Sequence, residues 1–144
     1  MLVCGIEIKQ NEAILCLLEL EKALYTIKPC RTNKLSLSHN EEQTALVAFR
    51  FALQQLCQDY QVDHIAIKAR AHKGKFAGSG IGFKIEAAIQ LLDGFPVTLL
   101  SAQTIAYRLK NSQTFIDFAE TGLKRFQAPA FETALAFFEK KDES

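Results

Sequence analysis

The chain has 144 residues, 49% of them hydrophobic and 23% charged. That is enough for one domain with its own core and too apolar for a disordered segment. The net charge of +1 excludes a global field that would draw the whole molecule to nucleic acid or an anionic membrane, so any such attraction has to come from local clustering.

The four cysteines, Cys4, Cys16, Cys30 and Cys57, form no CxxC pair and no Cys/His spacing that suits zinc. Cys4, Cys16 and Cys57 lie in apolar runs and are predicted to pack as small hydrophobes. The opening residues lack the basic n-region of a secretory leader, and no apolar run reaches membrane-spanning length. A cytoplasmic location without membrane association is the expectation.

In chain order, Leu2–Ile8 is a short apolar run, residues 9–12 are polar, and Ala13–Leu18 is a second apolar run. Two such runs around a tight polar break predict a hairpin. Ala23–Ile27, ended by Pro29, adds a third strand. The period then changes. Ser38-His39-Asn40-Glu41 fits a capping box, with residues 40–43 as an alternative register. Leu46, Phe49, Leu53, Leu56 and Tyr60 follow at helical spacing. Asp63–Lys68 reads as a buried strand. After a long glycine-rich loop, Ile85, Ala88, Ile89 and Leu92 trace a helix that Asp93-Gly94 should stop. Pro96–Leu100 is a fifth strand, Ser101–Leu109 a helix, and Pro129 opens a last helix marked by Phe131, Leu135 and Phe138.

This order predicts an α/β fold with a mixed five-stranded sheet: three antiparallel strands, then parallel ones, with helices on both faces. A flavodoxin-like sheet is disfavoured, because about four residues between the first two strands are too few for a parallel crossover. The expected organisation is one domain over residues 1–139 and a polar tail over 140–144.

The element order resembles the ribonuclease H-like fold, and three stretches resemble its Holliday-junction resolvase branch of RuvC type. Leu2-Val3-Cys4-Gly5-Ile6-Glu7 is similar to the opening strand, which there ends in Gly-Ile-Asp. Val62–Lys68 is similar to the fourth strand, and Pro96–Ile105 to the fifth strand and the helix after it. The chain also resembles a small bacterial family known only as a domain of unknown function. The resemblance implies three or four carboxylates around two divalent metals that activate water. Carried over residue by residue, Glu7 stands for the first acid, Lys68 stands where the second belongs, and Ala130 and Thr133 stand at the acid positions of the last helix. The expectation is a degraded site without metal, in which Glu7 and Lys68 form an ion pair. Glu132, Asp117 and Glu86 are the remaining acids from which an atypical site could be drawn, and Mg²⁺ or Mn²⁺ enters only under that reading. For Glu132 the bland account is a carboxylate in the first turn of its helix, facing the positive end of the dipole.

The loop from Lys68 to Lys84 is the clearest functional signal. It holds Lys68, Arg70, Lys73, Lys75 and Lys84 with His72 and no acid, and it runs into a helix N-terminus. Gly74, Gly78, Gly80 and Gly82 allow close backbone approach to a ligand. Phe76 and Phe83 offer rings for stacking on bases. The loop is neither a Walker A sequence nor GxGxxG. His39, His64 and His72 form no metal spacing, and Ser79 and Ser101 lack a His/Asp partner for nucleophilic catalysis. Three readings remain open: a DNA- or RNA-binding protein with a degraded nuclease site, a metal-dependent nuclease with unusual acids, and a non-catalytic interaction module such as a homodimer.

Overall fold

The computed structural model describes residues 1–72 and 79–140. It contains strands β1 (Leu2–Lys9), β2 (Glu12–Glu21), β3 (Leu24–Ile27) and β4 (Lys34–Ser36), then helix α1 (Gln43–Asp59) and strand β5 (His64–Lys68). Helix α2 (Gly80–Gln90), strand β6 (Val97–Leu100), helix α3 (Ala102–Lys110) and helix α4 (Ala128–Phe138) follow, with 3₁₀ turns at Phe118–Glu120 and Arg125–Gln127. Among the described residues no helix is long and apolar enough to cross a membrane.

The sheet runs β3-β2-β1-β5-β6. β1, β2 and β3 are antiparallel, whereas β5 lies parallel to β1 and β6 parallel to β5. This is the mixed sheet that the element order predicts, with one addition. A sixth, three-residue strand, β4, pairs antiparallel with the first residues of β2. Its signal is the alternation Lys34-Leu35-Ser36-Leu37, in which Leu37 is buried and Leu35 packs against the core. The run is short enough to pass for loop.

Both β1–β2 and β2–β3 turn through two residues. Gln10 has φ 56°, and Lys22 and Ala23 both have positive φ, as the tight hairpin turns of a right-twisted sheet require. The long helix α1 begins later than its capping-box reading predicts. Its N-cap is Glu42, which makes no side-chain cap bond. Asn40 is used elsewhere: its carbonyl and its Oδ1 accept from Lys84 Nζ at 2.9 and 3.0 Å. At the other end Gln61 takes the left-handed conformation (φ 56°) and the Val62 N–H reaches back to the Cys57 carbonyl. That closes the helix with a 6→1 bond. α2 likewise ends at Gln90 rather than at Asp93-Gly94; Gly94 (φ 81°) belongs to the turn into β6.

Strand alternation sorts the core into two layers. Cys4, Ile6, Ile8, Leu15, Leu17, Ile65 and Ile67 face α1 and α2, with Leu53, Leu56, Ile85 and Ile89 opposite them. Val3, Cys16, Leu18, Ala66 and Leu100 face α4, with Ala130, Phe131, Ala134 and Leu135. β1 is therefore buried on both faces, as a central strand between two helical layers has to be. Asp63 fixes where β5 meets it: Leu2 N–H donates to Asp63 Oδ2, and Asp63 N–H to the Leu2 carbonyl, both at 2.8 Å.

α4 comes unusually near β1. A Cβ placed on Gly5 would collide with the Ala130 carbonyl oxygen and lie 2.8 Å from Ala134 Cβ. The small residues Ala130 and Ala134, one turn apart and fully buried, form the facing side of the helix. Gly5→Ala is expected to force the helix away from the sheet and to lower stability by about 1–3 kcal/mol, the usual range for overpacking a tight core. Urea unfolding of the two proteins checks this, and equal midpoints would show that the helix yields without penalty.

Candidate functional site

The carboxyl ends of β1 and β5 lie side by side, because Ile6 pairs with Ile67. Glu7 and Lys68 are next in register, and alternation puts both on the α4 side of the sheet. The Glu7 carboxyl is half-buried, and burial pushes its pKa up. Lys68 pulls it back most strongly, followed by Lys9 and Arg70, while the charge of Glu132 adds to the rise. Strand adjacency is thus as the sequence predicts, but the ion pair is not formed. No nitrogen–oxygen approach within 4.0 Å joins Glu7 to Lys68; the ion pairs among the described residues lie elsewhere. Lys68 acts on Glu7 through space, as one of three cations.

The other acids separate. Glu132 is exposed and comes within electrostatic reach of Glu7. It sits one residue further into α4 than expected, because the helix starts at Ala128 rather than Pro129, and the first turn holds no acid. Its distance from the helix end weakens the account based on the dipole. Asp117 caps the first 3₁₀ turn, accepting from Ala119 N–H at 3.1 Å, and lines a hollow with Tyr25 and Thr26 of β3. Glu86 is buried in α2 on the opposite face of the sheet and accepts from the Arg70 backbone N–H at 2.8 Å. Ala130 and Thr133, at the two acid positions implied for the last helix, are fully buried, and the Thr133 hydroxyl donates to the Pro129 carbonyl at 2.7 Å. Among the described residues, His39, Glu41 and Glu42 are the one group whose ligand atoms converge, in an exposed turn before α1.

The basic loop also divides. Lys68 is half-buried beside Glu7. Arg70, expected to hold phosphate, is also engaged as a structural clasp. Its guanidinium donates to the Ile8 carbonyl at the end of β1 while its backbone is held by Glu86. Its Nε is enclosed without a partner and lies where a side chain on Gly82 would press, 3.1 Å from a Cβ there. Lys84 is exposed and tied to Asn40, so its ammonium is shared with the turn before α1. Lys73, Lys75 and Phe76 lie outside the described residues. Phe83 stacks on His72, with ring centroids 4.8 Å apart. Ser79 caps α2, its hydroxyl accepting from Gly82 N–H at 3.0 Å. His64 is a sheet-face residue: its Nε2 meets the Thr98 hydroxyl at 2.7 Å, its ring lies 4.3 Å from Phe137, and burial lowers its pKa. The sequence reading passes over Lys9, which joins the site. Its position at the end of a strand whose Glu7 was already a candidate is the signal that could have found it.

Because folding holds the Glu7 pKa above its unfolded value, the charged form is the one that folding penalises. The penalty is complete above the folded pKa and vanishes below the unfolded one. Glu7→Gln is therefore expected to stabilise the protein at neutral pH, by less than about 1 kcal/mol given solvent screening, and to lose that advantage as pH falls through the carboxylate range. Thermal melts of both proteins between about pH 4 and pH 8 test the sign. A variant less stable at neutral pH would show that Glu7 makes a favourable contact.

The fold is shared with solved structures of RuvC and of a viral resolvase. A structure of Thermus thermophilus RuvC superposes with a TM-score of 0.74 at 14% identity, covering 96% of this chain and 94% of that one. The same protein in complex with a Holliday junction substrate gives 0.69 at 12% identity, with 96% and 93% covered. Fowlpox virus resolvase in complex with substrate Holliday junction DNA gives 0.55 at 12% identity, with 96% and 97% covered. At these identities the likeness establishes the ribonuclease H-like fold and nothing finer. No curated protein sequence matches the chain significantly. A family model does match, over residues 1–137, and the chain belongs to that family, described as Protein of unknown function (DUF3010).

Proposed function

We propose that this chain is a nucleic-acid-binding protein on a ribonuclease H-like scaffold whose two-metal nuclease site has been lost. The supporting observation is the surroundings of Glu7: the cations Lys68, Lys9 and Arg70 and a single further acid, Glu132, act on it. Two Mg²⁺ ions demand near-octahedral shells of oxygen ligands, and neighbouring cations repel them. Two carboxylates among three cations do not fit that requirement. Glu86 and Asp117, the other acids of the nuclease alternative, are engaged on the opposite face of the sheet and in a cap beside β3. The reading therefore includes neither Mg²⁺ nor Mn²⁺. DNA or RNA as the partner class is supported by the scaffold, since RuvC and the fowlpox resolvase were solved on Holliday junctions. Lys68, Lys73, Lys75 and Lys84 supply phosphate contacts and Phe76 a stacking ring, while Arg70 fixes the base of the loop.

Phosphate contacts release condensed counterions, so log affinity for branched or single-stranded DNA is expected to fall linearly with log salt, by about 0.7 to 0.9 per contact. Neutralising Lys73 and Lys75 together should reduce that slope by up to about 2. Millimolar Mn²⁺ should produce neither cleavage nor a rise in melting temperature, since only a ligand of the native state stabilises it. Absence of binding at low salt, or cleavage abolished by Glu7→Gln, would reject the reading in favour of an interaction module or a nuclease respectively.

A second reading, association with another copy of the chain, has its own observation. Val47, Phe51 and Leu91 are 60%, 66% and 65% exposed. Val47 and Leu91 line a groove of about 310 Å³ between α1 and α2, walled mainly by carbon. A protruding ring beside a groove on one face is self-complementary in the way a two-fold contact needs. Phe51→Glu should convert a dimer to a monomer in light scattering. A wild type that stays monomeric at high concentration would leave this face without a second copy as its partner.

A further inference from the structure

The outer edge of β2 is covered by two separate strands, β3 along Leu18–Glu21 and β4 along Glu12–Ile14. Between them residues 28–33 leave the sheet and touch β2 at two points. Lys28 N–H donates to the Leu17 carbonyl at 3.0 Å, and Leu15 N–H to the Asn33 carbonyl at 2.9 Å. The gap is a cavity of about 540 Å³. The turn at residues 121–124, with Gly122 at φ 78°, closes its far side. Gln127 braces that closure: its Nε2 donates to the Leu15 carbonyl and its Oε1 accepts from Lys124 N–H, both at 2.9 Å. The volume lies in the range of small-molecule sites.

Charge in the cavity has one sign. Its charged lining residues are Lys28, Arg31 and Lys124. The carboxylates that pair with two of them, Glu19 with Lys28 at 3.3 Å and Asp59 with Arg31 at 2.7 Å, line a different hollow behind Pro29. Both pairs are substantially exposed, so they hold their cations weakly against a multivalent anion. Lys124 makes no ion pair among the described residues. Ile27 and Leu123 add apolar surface, Leu15 and Leu17 contribute backbone while their side chains stay in the core, and Thr32, Asn33 and Thr121 add neutral polar groups. Such a combination recognises a doubly charged head attached to an apolar or flat body.

We propose that this cavity binds a small phosphate monoester, of the nucleoside monophosphate type, with the phosphate at Lys28, Arg31 and Lys124 and the organic body against Ile27 and Leu123. It shares no lining residue with the Glu7 site or with the loop from Lys68 to Lys84, and it stands whether or not the chain binds nucleic acid.

Titration with AMP by calorimetry is expected to give a Kd on the order of 100 µM. Adenosine and inorganic phosphate, each lacking half of the recognised group, should bind at least tenfold more weakly. In amide NMR spectra the AMP-induced shifts should fall on residues 28–33 and 121–124, not on 68–72 or 79–84. The double substitution Arg31→Gln, Lys124→Gln should lower AMP affinity at least tenfold. Lys124→Gln alone, which breaks no ion pair, should lower it in the same direction without moving the melting temperature. The proposal is overturned if AMP does not bind at millimolar concentration, if adenosine binds as tightly as AMP, or if the shifts cluster on the loop instead.

Discussion

The contact of α4 with β1 at Gly5 governs the arrangement of the rest. β1 holds the sheet together, with the antiparallel hairpin on one side and the parallel strands on the other, and α4 lies across it closely enough that a methyl group does not fit. Close approach demands small residues on the helix, which explains Ala130 and Ala134. It also limits the chemistry. A helix surface used for packing against backbone has no room for carboxylates, so Ala130 and Thr133 are core residues. The exposed Glu132 is the one acid of α4, and only its charge reaches Glu7. Packing thus accounts for the small, uncharged residues at 130 and 133.

Around Glu7 the electrostatics are those of a carboxylate embedded in positive charge. A buried acid without direct partners is costly. Here the cost is moderated by partial exposure and by three cations at a distance, not by a single contact pair. One of those cations, Arg70, is immobilised by the Ile8 carbonyl, by the hold of Glu86 on its backbone and by the lack of a side chain at Gly82. The base of the basic loop is thereby anchored to the ends of both central strands. Positions that look alike as text, Arg70 and Lys68, do different work: one braces and one presents charge.

Much of the architecture was legible in the sequence because hydrophobic period and turn chemistry agreed. The hairpin, the third strand, α1 by its 3–4 spacing, β5, β6, and the Ser101-capped α3 all follow local rules. What escaped was set by partners distant in the chain. β4 is three residues long and exists because β2 extends far enough to pair with it. The start of α1 was misplaced because Asn40 binds Lys84, 44 residues away. At the site, family resemblance and strand order make Glu7 and Lys68 neighbours, and they are. Whether head groups touch depends on side-chain directions that no pattern encodes. The basic, glycine-rich pattern around Arg70 suggests phosphate and says nothing of the carbonyl waiting at the end of β1.

The pair of bonds between Leu2 and Asp63 joins residues 61 positions apart, whereas the β1–β2 turn closes between Lys9 and Glu12. Loop-closure entropy grows by about 0.6 kcal/mol with each doubling of the enclosed chain. The two halves of the sheet thus differ in kinetic character. The hairpin is assembled from near neighbours, while the parallel half has to gather β1 and β5 across α1 before either strand gains from the meeting. Asp63, contributing both a backbone and a side-chain bond at the first point of that junction, is the latch that makes the slower half worth closing.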